Sequence, residues 1–389
     1  MRRPLCALLL SLGCASAQAQ PSPSRAARDA PPRVSLDRLR DGDGERFGRE
    51  LARSPAPIQL PRIVAAGNRW GITWSERTGT SQLEVHAASL DATLTPSRHA
   101  VVTPRDGHLS AFAYAAPRSE NVWAVVFDDD RTSRAGWFER VDLDDDAVSA
   151  SQALPHDDVM THSPVVAWNA ARNQWGALAQ DNGRVVFHTF SRDGAIADVR
   201  AVTIPNASYL TIGAPPLIVA DGRWSALLIR QSSIALATFD GPTVEPAIVE
   251  LGRETSGFNG MALDWDGEGY GVAWSTAGAG VRYVHVGRDL VAGAPLTVSD
   301  ARYANLPSLA WNGRHHVIVW TEQPADTPLL RLSRITPQGA LLPARTVMSS
   351  HVGAEAWFPF LCAGGAGGRD VALTWQVGQS VAMGMILTP

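Results

Sequence analysis

The sequence predicts an all-β protein, a β-propeller of seven four-stranded blades, and three observations predict it. One short apolar strand recurs seven times: Trp70-Gly-Ile-Thr-Trp74, Trp123-Ala-Val-Val-Phe127, Trp175-Gly-Ala-Leu-Ala179, Trp224-Ser-Ala-Leu-Leu228, Tyr270-Gly-Val-Ala-Trp274, His316-Val-Ile-Val-Trp320 and Val371-Ala-Leu-Thr-Trp375. Successive copies start 53, 52, 49, 46, 46 and 55 residues apart, the spacing of a propeller blade or a helical hairpin repeat. Within each copy the apolar period is two and turn residues follow every few positions, which selects strands over helices.

Each repeat follows one order. An apolar first strand is often opened by proline, as in Pro61-Arg-Ile-Val64, Pro164-Val-Val-Ala-Trp168, Pro216-Leu-Ile-Val-Ala220, Pro307-Ser-Leu-Ala-Trp311 and Pro359-Phe-Leu-Cys-Ala363. Proline is expected at the first residue of these strands, where its missing N–H costs the ladder least. A tight turn follows, Gly67-Asn68, Asp221-Gly222, Asp266-Gly267 or Asn312-Gly313, which tolerates positive φ and makes the next strand an antiparallel neighbour.

The recurring second strand comes next. Its central residues, Ile72, Val125, Ala177, Ala226, Val272, Ile318 and Leu373, and their alternates are nearly all apolar. A strand apolar on both faces must be covered on both, as in a sheet between two like sheets. The third strand is more polar (Leu83-Glu-Val-His-Ala87, Val281-Arg-Tyr-Val-His285), and a short fourth one ends the unit (Ala100-Val-Val102, Leu296-Thr-Val298). The last repeat stops after its third strand, near Ile386. Its fourth is expected from the chain before Ile58, from Phe47-Gly-Arg-Glu-Leu51, which would close the ring and hide an edge.

The hairpin Pro307-Ser-Leu-Ala-Trp-Asn-Gly313, running on to Val319-Trp320, resembles the blade motif of secreted bacterial β-propeller repeat proteins. The resemblance spans residues 56–389 and implies architecture alone, since that family carries no activity to transfer. The repeats lack the Gly-His and Trp-Asp signature of WD40 blades, a sialidase-like Asp box and a repeated kelch double glycine.

The remaining chain divides simply. Residues 1–19 read as an export signal, with Arg2 and Arg3, an apolar stretch from Leu5 to Leu12, and cleavage after Ala17 or Ala19. Residues 20–55 form a Pro/Arg/Asp-rich linker, and residues 56–389 the propeller. A soluble protein, secreted or periplasmic, is therefore expected, and a monomer. The alternative is a lipid anchor at the cell surface through Cys14, because Leu12-Gly13-Cys14 is similar to the end of a lipobox. Cys362 is then the one cysteine of the mature chain, which excludes an internal disulfide framework.

All 34 basic residues are arginine, and removal of the signal moves the formal charge from −4 to −6. This mild acidity argues against nucleic acid and anionic membrane as partners. Without lysine there is no Walker-type phosphate loop, Schiff base or kinase nucleotide site.

Eleven of the 13 tryptophans fall in first or second strands and are expected in the core; Trp137 and Trp357 are the exceptions. The loops entering each blade share a face with the loops joining second to third strands, and a ligand is expected there. Its candidate contacts are Asp106, His108, His156, His162, Asn259, Asn305 and Trp357, with Tyr209, Tyr303 and Glu355 beside them.

No residue is assigned a catalytic role, and no metal or cofactor motif stands out. The run His156-Asp-Asp-Val-Met-Thr-His162 lacks zinc spacing on a defined element, and Asp41-Gly-Asp-Gly-Glu45 is short of a calcium loop. The sequence thus points to an exported binding module for a protein or glycan. One alternative is a carbohydrate-active or other hydrolytic enzyme using Asp106, Asp157, Asp158 or Glu355 as paired carboxylates. Another is a lipid-anchored surface scaffold.

Overall fold

The computed structural model describes residues 39–40, 46–53 and 58–386, apart from 68, 78–82, 92–93, 95, 103–112, 120, 130–134, 145–146, 150–151, 155–160, 182, 197–201, 211–215, 242–243, 254–256, 324–327, 349–355, 365–369 and 378–379. The expected signal with Cys14, most of the linker and Asp41 to Glu45 lie outside the described residues.

Among the described residues there is no helix, and the strands form seven antiparallel sheets. Six are each made from one continuous stretch, 58–101, 113–153, 161–205, 207–253, 258–299 and 304–348, called sheets 1 to 6 below. Sheet 7 joins the two ends of the chain. Its first three strands are Ala356–Gly364, Asp370–Val377 and Ser380–Ile386, and outside them lie Arg46–Arg53 and then Leu39–Arg40. Arg46–Arg53 contains the segment expected as the missing strand and pairs antiparallel to Ser380–Ile386, from Arg46 opposite Met385 to Arg53 opposite Ser380. The first strand of each sheet lies against the first strand of the next, and Ala356–Gly364 lies against Ile58–Ala66. This is the arrangement of a β-propeller.

Burial explains the repeated second strand. Its central residues, from Ile72 to Leu373, have no solvent exposure, and the alternates Ala124, Val126, Val317, Val319 and Ala372 have none either. Trp70, Trp123, Trp175, Trp224, Trp274, Trp320 and Trp375 are the largest fully buried side chains. Neighbouring sheets interlock where the leading aromatic of one meets a glycine of the sheet before it. A Cβ on Gly71 of sheet 1 would lie 1.9 Å from Trp123 Cη2 of sheet 2, and one on Gly176 of sheet 3 would lie 2.4 Å from Trp224 Nε1 of sheet 4.

The prolines correct the sequence reading. Pro61, Pro164, Pro307 and Pro359 stand inside their strands, which begin earlier, at Ile58, Thr161, Ala304 and Ala356. The pairing register slips between Gln59 and Arg62, His162 and Val165, Asn305 and Ser308, and Trp357 and Phe360. At each slip the residue before proline has positive φ: 51° at Leu60, 57° at Ser163, 52° at Leu306 and 53° at Phe358. A β-bulge takes the proline out of the ladder, so the missing N–H costs no pairing bond.

Candidate functional site

The bulges decide what the entry end of the propeller presents. The last paired residue before each bulge is one equivalent position in four sheets, occupied by Gln59 opposite Ser75, His162 opposite Gln180, Asn305 opposite Thr321 and Trp357 opposite Gln376. His162, Asn305 and Trp357, expected on loops, therefore belong to first strands. Asn259 does too, at the irregularity between Phe258 and Gly260. The sequence carried the signal: each of Gln59, His162, Asn305 and Trp357 stands two residues before a proline. Asp106, His108 and His156 lie outside the described residues, as do Asp157, Asp158 and Glu355.

Asn259 is exposed, and Asn305 and Trp357 are half-buried. The Asn305 Oδ1 is shut off from solvent and accepts no hydrogen bond among the described residues. Two residues upstream the Tyr303 ring is 54% exposed, with the Arg302 guanidinium carbon 5.3 Å from its centre. Tyr209, the other tyrosine expected on this face, is buried.

Beneath this rim, charged and phenolic groups grip the bulges from neighbouring sheets. Arg62 is buried, lies 3.5 Å from the centre of the Tyr114 ring and donates from Nη1 to the Ala113 carbonyl. Burial lowers the Arg62 pKa from its ordinary value, and Tyr114 partly offsets the shift. Asp128, at the end of Val122–Asp129, accepts from the Ser163 N–H at 2.6 Å, and the Tyr209 hydroxyl donates to the Ser163 carbonyl at 2.8 Å. Burial first, then Asp128 and Tyr114, hold the Tyr209 pKa well above its ordinary value, so the phenol stays protonated and serves as a strut. Thr374 donates to the Pro61 carbonyl at 3.3 Å and Ser308 accepts from the Leu361 N–H at 2.8 Å. Asp128 thus caps the first strand of the next sheet.

The first-strand residues nearer the tight turns use the same device. Asp264 accepts from the Trp311 N–H of the next sheet, and Cys362 Sγ accepts from the Ala65 N–H at 3.1 Å, from sheet 7 to sheet 1. Burial pushes the Asp264 carboxyl up to about 7 against its backbone hydrogen bonds. It pushes the Cys362 thiol up to about 12, which makes that sulfur a poor nucleophile at neutral pH.

The tight-turn face is tied by its own side chains. Asp240 takes Arg172 at 3.1 Å and Arg223 at 2.9 Å, and Asp144 takes Arg98 at 3.2 Å. Asp266 is pushed up by burial, but hydrogen bonds from His285 and from the Glu268 and Gly269 N–H groups bring it down to about 2. His316 is buried with Nδ1 2.9 Å from the Tyr283 hydroxyl, and burial lowers it to about 4, so the ring is neutral. Among the described residues no group of three or more His, Cys, Asp or Glu side chains is placed to hold a metal ion, and no helix is long and apolar enough to cross a membrane.

No protein-family model and no curated protein sequence matches the chain. Solved structures do match its shape. A protein of unknown function from Dyadobacter fermentans superposes with a TM-score of 0.54 at 9% identity, covering 85% of this chain and 94% of that one. The β-propeller domain of the Trilobed protease from Pyrococcus furiosus, described as having an open velcro topology, gives 0.51 at 10% identity over 85% and 95%. The Dos1 propeller gives 0.51 at 8% identity over 85% and 95%. The chain has a β-propeller fold. At these identities the likeness extends to the fold and no further.

Proposed function

We propose that the mature protein is an exported binding or interaction module whose ligand, a protein or glycan, meets the entry face. In this reading the seven sheets are the blades of one ring, closed by Arg46–Arg53. The observation that carries it is the contrast between core and rim at equivalent positions. The second strands repeat buried tryptophan and aliphatic residues, whereas the position before the bulge changes from Gln59 to His162, Asn305 and Trp357. A rigid scaffold with chemically varied positions at one end is suited to recognition. The exposed Tyr303 ring, the Arg302 guanidinium and the Asn259 and Asn305 amides add one aromatic surface and several hydrogen-bonding groups. Arg62, Asp128 and Tyr209 are engaged in holding the scaffold, which favours binding over catalysis by these groups.

The test is capture of biotinylated glycan and peptidoglycan fragments, and of secreted proteins, by residues 20–389. The triple variant His108→Ala, Asn259→Ala, Trp357→Ala is expected to lose capture while keeping its melting temperature. Capture that survives the three changes would overturn the assignment of the face. Turnover of a glycan in the same panel, abolished by Asp106→Asn or Glu355→Gln, would replace the binding module by the hydrolytic enzyme. Membrane retention dependent on Cys14 would replace soluble export by the lipid anchor.

A further inference from the structure

A groove of about 340 Å³ runs between sheets 3 and 4, lined by Val202, Thr203, Ile204, Pro205, Arg230, Val244, Glu245, Pro246 and Ile248. Four of these residues are consecutive and make up the whole of the strand Val202–Pro205. Successive side chains of a strand point to opposite faces, so a groove on one face meets every second residue. Four residues in a row line one groove together only when it follows the edge of the strand. Val202–Pro205 is the outermost strand of sheet 3 and pairs on its inner side with Arg184–Ser191, which leaves its other side without a partner strand among the described residues.

The remaining lining describes what fits against that edge. Val202 and Ile204 are buried, Ile248 is half-buried and Val244 is 47% exposed, so the groove offers apolar ground on both sides of the free backbone. Arg230, at the end of Arg223–Arg230, has a buried Nε that makes no hydrogen bond among the described residues. A buried guanidinium N–H without an acceptor is costly, and a carboxylate is its best complement. Backbone donors and acceptors along the edge, small apolar seats, the Arg230 cation and the exposed Glu245 carboxylate together match an extended peptide better than a sugar or a lipid chain.

We infer that this groove is a docking site for a short extended peptide. The peptide adds as a strand to the free edge of Val202–Pro205, places small β-branched side chains against Val202, Ile204 and Ile248, and sets a carboxylate on Arg230. The site is separate from the entry-face residues named above and does not depend on that reading.

The probe is the fluorescein-labelled peptide Thr-Val-Thr-Val-Glu with an amidated C-terminus, titrated by fluorescence anisotropy against residues 20–389. Saturable binding is expected, weakened about tenfold by Arg230→Gln and to the same extent by replacing the glutamate of the peptide with glutamine. The melting temperature of Arg230→Gln should stay unchanged, because Arg230 Nε has no acceptor to lose. A peptide N-methylated at alternate residues keeps the side chains and removes strand-pairing donors, and it is expected to lose binding. Hydrogen exchange should slow at those of Val202, Thr203 and Ile204 whose N–H points away from Arg184–Ser191 when the unmodified peptide is bound. No saturable binding at millimolar peptide, or equal affinity for the N-methylated peptide, or indifference to Arg230→Gln, would each overturn the proposal. Loss of binding in the Asn259 and Trp357 variants instead would place the peptide on the entry face and overturn it as well.

Discussion

Replacing Gly71 by alanine adds one methyl group at the tightest contact between two sheets. The new carbon would lie 1.9 Å from Cη2, 2.1 Å from Cζ2 and 2.8 Å from Cζ3 of Trp123. Carbon atoms rest about 3.5–4.0 Å apart, so the indole must move by about 1.5 Å or more. Trp123 has no room to do so, since it is fully buried and its own sheet sets it opposite Pro117 and Val141. Overpacking of this kind costs about 1–3 kcal/mol, and the depth of the overlap puts Gly71→Ala at the upper end. Gly71 has ordinary strand backbone, so alanine recovers about 0.4–1 kcal/mol by restricting the unfolded chain. The net loss expected is about 2 kcal/mol, read as a lower urea midpoint at unchanged m value. In a Trp123→Leu background the same methyl group has space, and the two changes should couple by more than about 0.5 kcal/mol. An unchanged midpoint for Gly71→Ala, or strict additivity with Trp123→Leu, would refute the interlocking of sheets 1 and 2.

Other expectations rest on separate contacts. Deleting residues 20–57 removes the strand opposite Ser380–Ile386 and should lower the melting temperature sharply, and an unchanged melting curve would sink closure by the N-terminal strand. Asp264 has a folded pKa of about 7, above that of an unfolded aspartate, so its contribution is fully present below about pH 4 and is lost as pH rises toward 7. Asp264→Asn should therefore flatten the stability profile between about pH 4 and 7 and stabilise the protein at pH 8, measured by urea unfolding across that range. The Cys362 thiol, raised to about 12 by burial, should stay unreactive toward a thiol reagent at pH 8 until the protein unfolds. Rapid labelling of folded protein would show that Ala65 and Cys362 are not packed together.

The architecture was legible because it repeats. Tryptophan at the ends of the second strand, with period-two apolar residues between, follows from burial on both faces, and Asp221-Gly222 or Asn312-Gly313 marks the turn from local chemistry alone. The bulges were less legible, although Leu60-Pro61, Ser163-Pro164, Leu306-Pro307 and Phe358-Pro359 repeat the same pair. Proline after a residue with positive φ reads as a strand start unless the partner strand is known. The contacts of Arg62 with Tyr114 and of Asp128 with Ser163 were not legible, because they join residues of neighbouring sheets whose facing is set by how those sheets pack. The same holds for the groove beside Val202–Pro205, which exists only where two sheets meet.

The most direct test of the central claim, that the entry face binds the ligand, is a thermal-shift titration of residues 20–389 against glycans, peptidoglycan fragments and secreted proteins. A ligand that binds only the folded state raises its melting temperature with concentration. Such a rise is expected for at least one ligand, and its loss in the variant Asn259→Ala, Asn305→Ala, Trp357→Ala, whose unliganded melting temperature is unchanged. A rise of equal size in the variant would contradict it.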